Sequence, residues 1–479
     1  MLLALILACA PKPVPVVEAP PPAPVEHVPP APTPLPARSF LVPSVAEGKL
    51  KNGARVALVE NHEAPLVSVT LSFAAGGLAD PAGKTGLAAA TLDLMNEGAG
   101  KRDAVGISAE LRRLGASLGT SSGTDGSSLS VSCLRDKLEP TLDLLADVLL
   151  RPTFPEKDWS RIKQLWIDDL SAARASPARI ADRVMNRVLF GESYRGRRYD
   201  EASLAKIGVK DMKAWHKANL SPAQTVVLVG GDTTLAEVVP LLDARLGAWT
   251  TPPPRLPTRP ATPPLSATTV HLVDKPDAPQ SVIRAAAYVA RPGDPDWMAL
   301  SVANTAIGGQ FASRINLNLR EKQGFTYGAR TSLGYDLAGG SWGFSSNIRT
   351  DATGPALVEL FKELREARGE RPLADNEVEE GRGAAINGYA LRFETPDYLL
   401  GQVDAMWTYE LPADWVSAYL DRARSVTTAR AQTAFSSRVD PDKLAVVVVG
   451  SAAAVRPQVE ALGLPVVLHD VDGNVIGER

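Results

Sequence analysis

The sequence predicts an α+β protein built as two homologous domains in tandem, each an antiparallel sheet covered by helices. Three observations carry this. At 479 residues the chain exceeds one hydrophobic core, so two domains of about 200 residues each is the natural division. Strand and helix patterns recur in one order on either side of a proline cluster running from Pro252 to Pro264. The apolar runs closing the two halves end at Gly230 and Gly450, 220 residues apart.

In chain order, residues 54–59 and 67–73 read as strands, the second alternating so that one face is buried. A turn at Gly76-Gly77 and Asp80-Pro81 precedes a helix over 86–97, stopped at Gly98. Residues 129–134 alternate again, which predicts a buried strand thiol at Cys133. Helices follow at 105–114 and 136–151, and a long helical pattern over 156–189 breaks near Pro177. The continuously apolar run 226–231 reads as a buried strand. After the proline cluster come strands at 269–273 and 282–289 and helices at 296–308 and 314–322. Strands at 325–333 and 341–348, helices at 355–368 and 374–391, and the closing strand 445–450 complete the second unit.

The N-terminus is different. Twelve prolines between Pro11 and Pro36 exclude helix and sheet and favour an extended, solvated spacer. Before it, an apolar start ends in Ile6-Leu7-Ala8-Cys9, which resembles a bacterial lipobox and implies a lipid on Cys9. The expected division is a lipoprotein signal over 1–9, a spacer over 10–40, a first domain over 41–250, a linker over 251–266 and a second domain over 267–479. No other stretch approaches the roughly 18 apolar residues of a membrane span, so lipid is the only expected membrane anchor, on a periplasm-facing protein of the bacterial envelope. A net charge of −3 gives no reason to expect nucleic acid as a partner. The five histidines, His27, His62, His216, His271 and His469, are too scattered for two to share a helical face.

The run from Leu317 to Tyr327 is the most informative stretch. A helical pattern carrying Arg320 breaks at Gly324 and passes into a strand opened by Tyr327, which places two hydrogen-bonding side chains at one junction.

With the tandem halves, Gly86-Leu87-Ala88, Arg151-Pro152-Thr153-Phe154 and Arg320…Tyr327 together, the sequence resembles the insulinase, pitrilysin and mitochondrial processing peptidase family from about residue 40 to 455. In that family the Gly-Leu-Ala helix continues as His-x-x-Glu-His, two zinc ligands and a general base. Here those three positions hold Ala89, Leu92 and Asp93. A third ligand, a glutamate about seventy to eighty residues further on, is also missing, since no glutamate lies between Lys157 and Gly191. Asp93 and Glu97, four apart, are two carboxylates without a histidine, a weak Ca²⁺ or Mg²⁺ pair at best. No metal or other cofactor is therefore expected in this chain.

The resemblance implies that Arg320 and Tyr327 correspond to an arginine and a tyrosine that the second half presents toward the cleft and a bound peptide, where they help stabilise the tetrahedral oxyanion. Some bacterial members divide the site between two chains, one with the zinc motif and one with the arginine and tyrosine. The sequence is similar to the second kind, which implies a zinc-bearing homologous partner and peptide substrates. The alternative is a catalytically inactive scaffold or peptide-binding lipoprotein of the same fold. The family also adds substrate to a sheet edge, for which residues 127–131 or 340–344 are the expected strands.

Overall fold

A computed structural model of the chain describes residues 40–258 and 265–478. Cys9, the spacer up to residue 39 and linker residues 259–264 lie outside the described residues. From Val42 onward the chain carries two principal sheets.

In the first, strands β1 (Ala46–Lys49), β2 (Arg55–Glu60), β3 (Leu66–Phe73), β4 (Ser117–Ser122), β5 (Ser127–Leu134) and β6 (Thr225–Gly231) lie in the order β1-β2-β6-β3-β5-β4. In the second, β7 (Thr269–Asp274), β8 (Ser281–Val289), β9 (Thr326–Asp336), β10 (Gly339–Ile348), β11 (Ala445–Gly450), β12 (Val466–His469) and β13 (Val475–Glu478) lie in the order β9-β10-β8-β11-β7-β12-β13. The repeat holds in the topology. Each closing strand, β6 or β11, inserts between the first two long strands of its half, parallel to one and antiparallel to the other. The sheets are therefore mixed rather than wholly antiparallel, because a strand arriving after a run of helices has the long crossover that parallel pairing needs.

Side-chain alternation fixes which face is buried. Val67, Val69, Leu71 and Phe73 of β3 enter the first core, while Ser68, Thr70 and Ser72 face the other way. Cys133 is buried on β5 as expected, and burial pushes its thiol up. The helix Leu87–Met95 and the helix Leu138–Leu150 fill the first core, and Trp297–Asn304, Thr353–Arg368 and Thr428–Arg438 fill the second.

Helices also cover part of each sheet's second face, which the sequence does not foreshadow. The halves exchange them. The helix Pro177–Phe190 of the first half lays Ile180, Ala181 and Val184 on Val282, Val447 and Val449 of the second sheet. The helix Pro396–Thr408 of the second half packs on β2 and β6, where Gly230 admits it: a Cβ there would sit 2.9 Å from both Leu400 and Pro396.

The strands expected to receive a peptide are corrected by the pairing. β5 is bonded on both sides by β3 and β4, and β10 by β8 and β9, so neither has free backbone groups. The edges are β1 and β4 in the first sheet and β9 and β13 in the second. No helix of the described residues is long and apolar enough to cross a membrane.

Candidate functional site

The helix carrying the altered motif begins where Gly86 takes a φ of 97°, a left-handed conformation that glycine adopts without strain. Its first amides are tied down by Asp80, whose carboxylate accepts from Gly86 N and Ala88 N, both at 2.7 Å. Burial pushes the Asp80 carboxyl up to about 6, with amide bonds from Ala88, Gly86 and Leu87 holding it back. The sequence marked Asp80 only as a turn residue.

Along this helix Ala89 is half-buried and Leu92 is 1% exposed, part of the first core. Asp93 is hydrogen-bonded to the Trp166 side chain, and burial raises its carboxyl above the usual range. Trp166 stacks on Tyr199 with ring centroids 4.9 Å apart and meets Trp159 edge-on at 6.2 Å. Trp159 is itself anchored by an indole N–H donated to Ile207 O at 3.1 Å. Glu97 is paired with Arg161 at 2.7 Å. Zinc does not fit here: a methyl, a buried isobutyl group and a carboxylate already engaged by an indole are not a ligand set. Among the described residues no group of three or more His, Cys, Asp or Glu side chains converges as a metal site would.

The second candidate site lies at the helix-to-strand junction of the second half. Residues Leu317–Lys322 form a wide helical turn in which Gln323 N donates to Asn318 O at 3.0 Å, five residues back. The turn ends at Gly324, with a φ of 63°. Two asparagines fix this segment. Asn316 accepts from Ala329 N at 3.0 Å and donates to Phe311 O at 2.7 Å, while Asn318 donates to Glu359 and Glu363 at 2.8 and 2.7 Å. Arg320 lies on the wide turn, its guanidinium 4.5 Å from the Phe311 ring centroid and paired, among the described residues, only with the adjacent Glu321, at 3.2 Å. Tyr327 sits on edge strand β9, where the register with β10 shifts between Thr326 and Ala329, and it is 90% exposed. Its phenol makes no hydrogen bond among the described residues.

Between the halves lies a cavity of about 530 Å³. Ser72 and Asp125 of the first half and Tyr335, Asp336, Asp404 and Tyr409 of the second contribute to its walls. The Asp125 carboxylate accepts from Leu337 N at 2.9 Å, joining the β4–β5 turn to the β9–β10 turn, and Arg195 pairs with Asp336. Burial raises the Asp404 carboxyl, which Ser72 hydrogen-bonds from the opposite sheet, and pushes the Tyr409 phenol up to about 12. Neither Arg320 nor Tyr327 lines this cavity: Tyr327 is exposed and Arg320 is half-buried against Phe311, and the space between the halves, toward which the resemblance implies they are presented, is walled by other residues. Asp125, Asp404 and Tyr409 were not legible as a group in sequence, since Asp125 belongs to a turn of the first half while Asp404 and Tyr409 stand at the end of one helix of the second.

Two mixed sheets with helices exchanged between them, one half bearing a helix altered at the zinc-motif positions and the other Arg320 and Tyr327, define a metallopeptidase-like protein. The chain belongs to the insulinase family, peptidase family M16. Residues 55–198 match the family model described as Insulinase (Peptidase family M16), and residues 206–384 match that of the Peptidase M16 inactive domain. Among curated proteins it is similar to the non-peptidase homolog YmxG of Helicobacter pylori, 21% identical over 383 residues that cover 78% of this chain and 87% of the relative. An uncharacterized zinc protease of Streptomyces coelicolor is 22% identical over 344 residues, 70% of this chain and 74% of the relative. A peptidase M16 inactive domain from Pseudomonas fluorescens superimposes with a TM-score of 0.79 at 24% identity, covering 85% of this chain and 98% of that one. A protease from Helicobacter pylori superimposes with a TM-score of 0.78 at 15% identity, covering 85% of this chain and all of that one.

Proposed function

We propose that the chain is the non-zinc subunit of an insulinase-family peptidase and supplies Arg320 and Tyr327 in trans to a zinc-bearing homologous partner that cleaves peptides. One observation carries the reading. Both side chains stand at a braced junction with few partners: the Tyr327 phenol projects into solvent, and among the described residues the half-buried Arg320 meets a neighbouring glutamate and the exposed Phe311 ring. Neither lines the cavity within this chain, so a substrate that met them would be one held by the partner. The altered residues Ala89, Leu92 and Asp93 support the same division of labour, with the zinc in the partner. A donor aimed at the developing oxyanion is worth about 3 kcal/mol.

The test is reconstitution. The chain alone is expected to cleave no peptide, and mixing it with a partner bearing His-x-x-Glu-His is expected to give chelator-sensitive hydrolysis. Arg320→Ala and Tyr327→Phe should each lower turnover about 10²-fold while the two chains still co-elute. Variants as fast as wild type would leave the second reading, an inactive scaffold, which the similarity to a non-peptidase homolog and an inactive domain favours.

The proposal extends to location. A lipid on Cys9 would hold this subunit on the periplasmic side of the envelope, the proline-rich segment acting as the spacer. Cys9→Ser is then expected to move the protein from the membrane to the soluble fraction, and equal membrane recovery of both forms would refute the anchor.

A further inference from the structure

Two small cavities meet beside the altered helix and share one wall. The first, about 320 Å³, is bordered by Arg174, Arg187 and Asp472; the second, about 260 Å³, by Asn186 and the apolar Leu170 and Ala173. Arg183, Arg198 and Tyr199 line both. Such a concentration of guanidinium groups is ordinarily neutralised by carboxylates, and here all but one are. Arg174 binds Glu201 and, at 2.8 Å, Asp472; Arg183 also binds Asp472 at 2.8 Å; Arg179 grips Asp169 with two bonds, of 3.0 and 2.6 Å. Arg187 pairs with Glu192, and Asp182 is taken by Arg284 at 2.8 Å. Asp200 accepts from Ser203 N at the start of its helix. Arg198 makes no ion pair and no hydrogen bond among the described residues. Partial desolvation and the positive charge of Arg183 both weigh against its protonated form; the side chain stays open to solvent where the two cavities meet, and an added negative charge there would relieve the repulsion from Arg183.

We propose that Arg198, with Arg183 and the Tyr199 phenol, binds the terminal carboxylate of a short peptide. A guanidinium fork matches a carboxylate with two parallel hydrogen bonds. The apolar Leu170 and Ala173 behind it give a terminal side chain somewhere to pack, which a bare inorganic oxyanion would not use. The position suits a peptide lying over the first half: Tyr199 stacks on Trp166, and Trp166 bonds Asp93 at a former metal-ligand position. The inference rests on this geometry alone and stands whether or not Arg320 and Tyr327 act in trans.

The test is calorimetric titration of the intact chain, in low salt without phosphate, with N-acetyl-trialanine as the free acid, the same peptide as its amide, and inorganic phosphate. The acid is expected to bind, the amide at least tenfold more weakly, and Arg198→Ala is expected to weaken the acid at least tenfold while unfolding at the wild-type midpoint, since Arg198 holds no structural ion pair. Arg198→Lys should recover only part of the loss. The proposal is overturned if acid and amide bind alike, if Arg198→Ala keeps wild-type affinity, if no binding of the acid is seen at millimolar peptide, or if phosphate binds where the acid does not.

Discussion

Replacing Leu92 by glutamate, the residue type that active family members carry there, is expected to destabilise this protein by about 3 kcal/mol or more rather than to move it toward activity. Leu92 is 1% exposed and belongs to the first core. A glutamate in its place would either bury an ionised carboxylate without a partner or stay protonated and lose the packing of the isobutyl group. Denaturant unfolding at pH 7 checks this through the midpoint, with Leu92→Met as the volume-matched control expected to cost less than about 1.5 kcal/mol. Rebuilding the whole motif with Ala89→His, Leu92→Glu and Asp93→His is expected to give no stoichiometric zinc, because the facing helix Glu156–Ala175 offers Trp166 and the buried Leu170 where a carboxylate is required. A glutamate variant as stable as wild type would show that the site has kept an open, solvated pocket, and the argument from burial would fall.

The sequence made the local events legible and left the pairings hidden. Gly324 announced the break between the Arg320 helix and the Tyr327 strand because a left-handed residue there calls for glycine, and the structure puts it at a φ of 63°. Strict alternation over β3 and β5 likewise set the inward faces, Cys133 included. Periodicity carries no information on which sheet an amphipathic helix covers, so Pro177–Phe190 reads the same on its own half or on the other. For the same reason β5 and β10 looked as suitable for accepting a peptide strand as any other, and only the pairing shows that β4 and β9 occupy the edges. At the two candidate sites, residue identity at motif positions is all that singled out Ala89, Leu92, Asp93, Arg320 and Tyr327. Trp166, Tyr199 and Arg198 had no motif to mark them, because their roles come from what stands opposite in space.

Val184→Asp is expected to separate the behaviour of the two halves. Val184 is fully buried on the exchanged helix, packed with Ile180, Ala181, Val447 and Val449 in a cluster that belongs to neither sheet's own core. Polar contacts at its rim assist it: Arg183 donates to Asp472 and Arg284 to Asp182, each at 2.8 Å, and the Tyr288 hydroxyl donates to Leu189 O. Removing two methyl groups with Val184→Ala should cost about 1–2 kcal/mol, within the range for truncating buried aliphatic side chains. An unpaired carboxylate at the same place should cost roughly 3–5 kcal/mol, the penalty for an uncompensated buried charge. The loss falls on the contact between halves, while each half keeps its own sheet and helices. Unfolding followed by tryptophan fluorescence is therefore expected to pass from one transition in wild type to two in Val184→Asp, since Trp159, Trp166, Trp215 and Trp249 report on the first half and Trp297 and Trp342 on the second. A single, merely shifted transition in the variant would mean that the exchanged helix is not what couples the two units, and that the reciprocal helix Pro396–Thr408, packed on β2 and β6, suffices by itself.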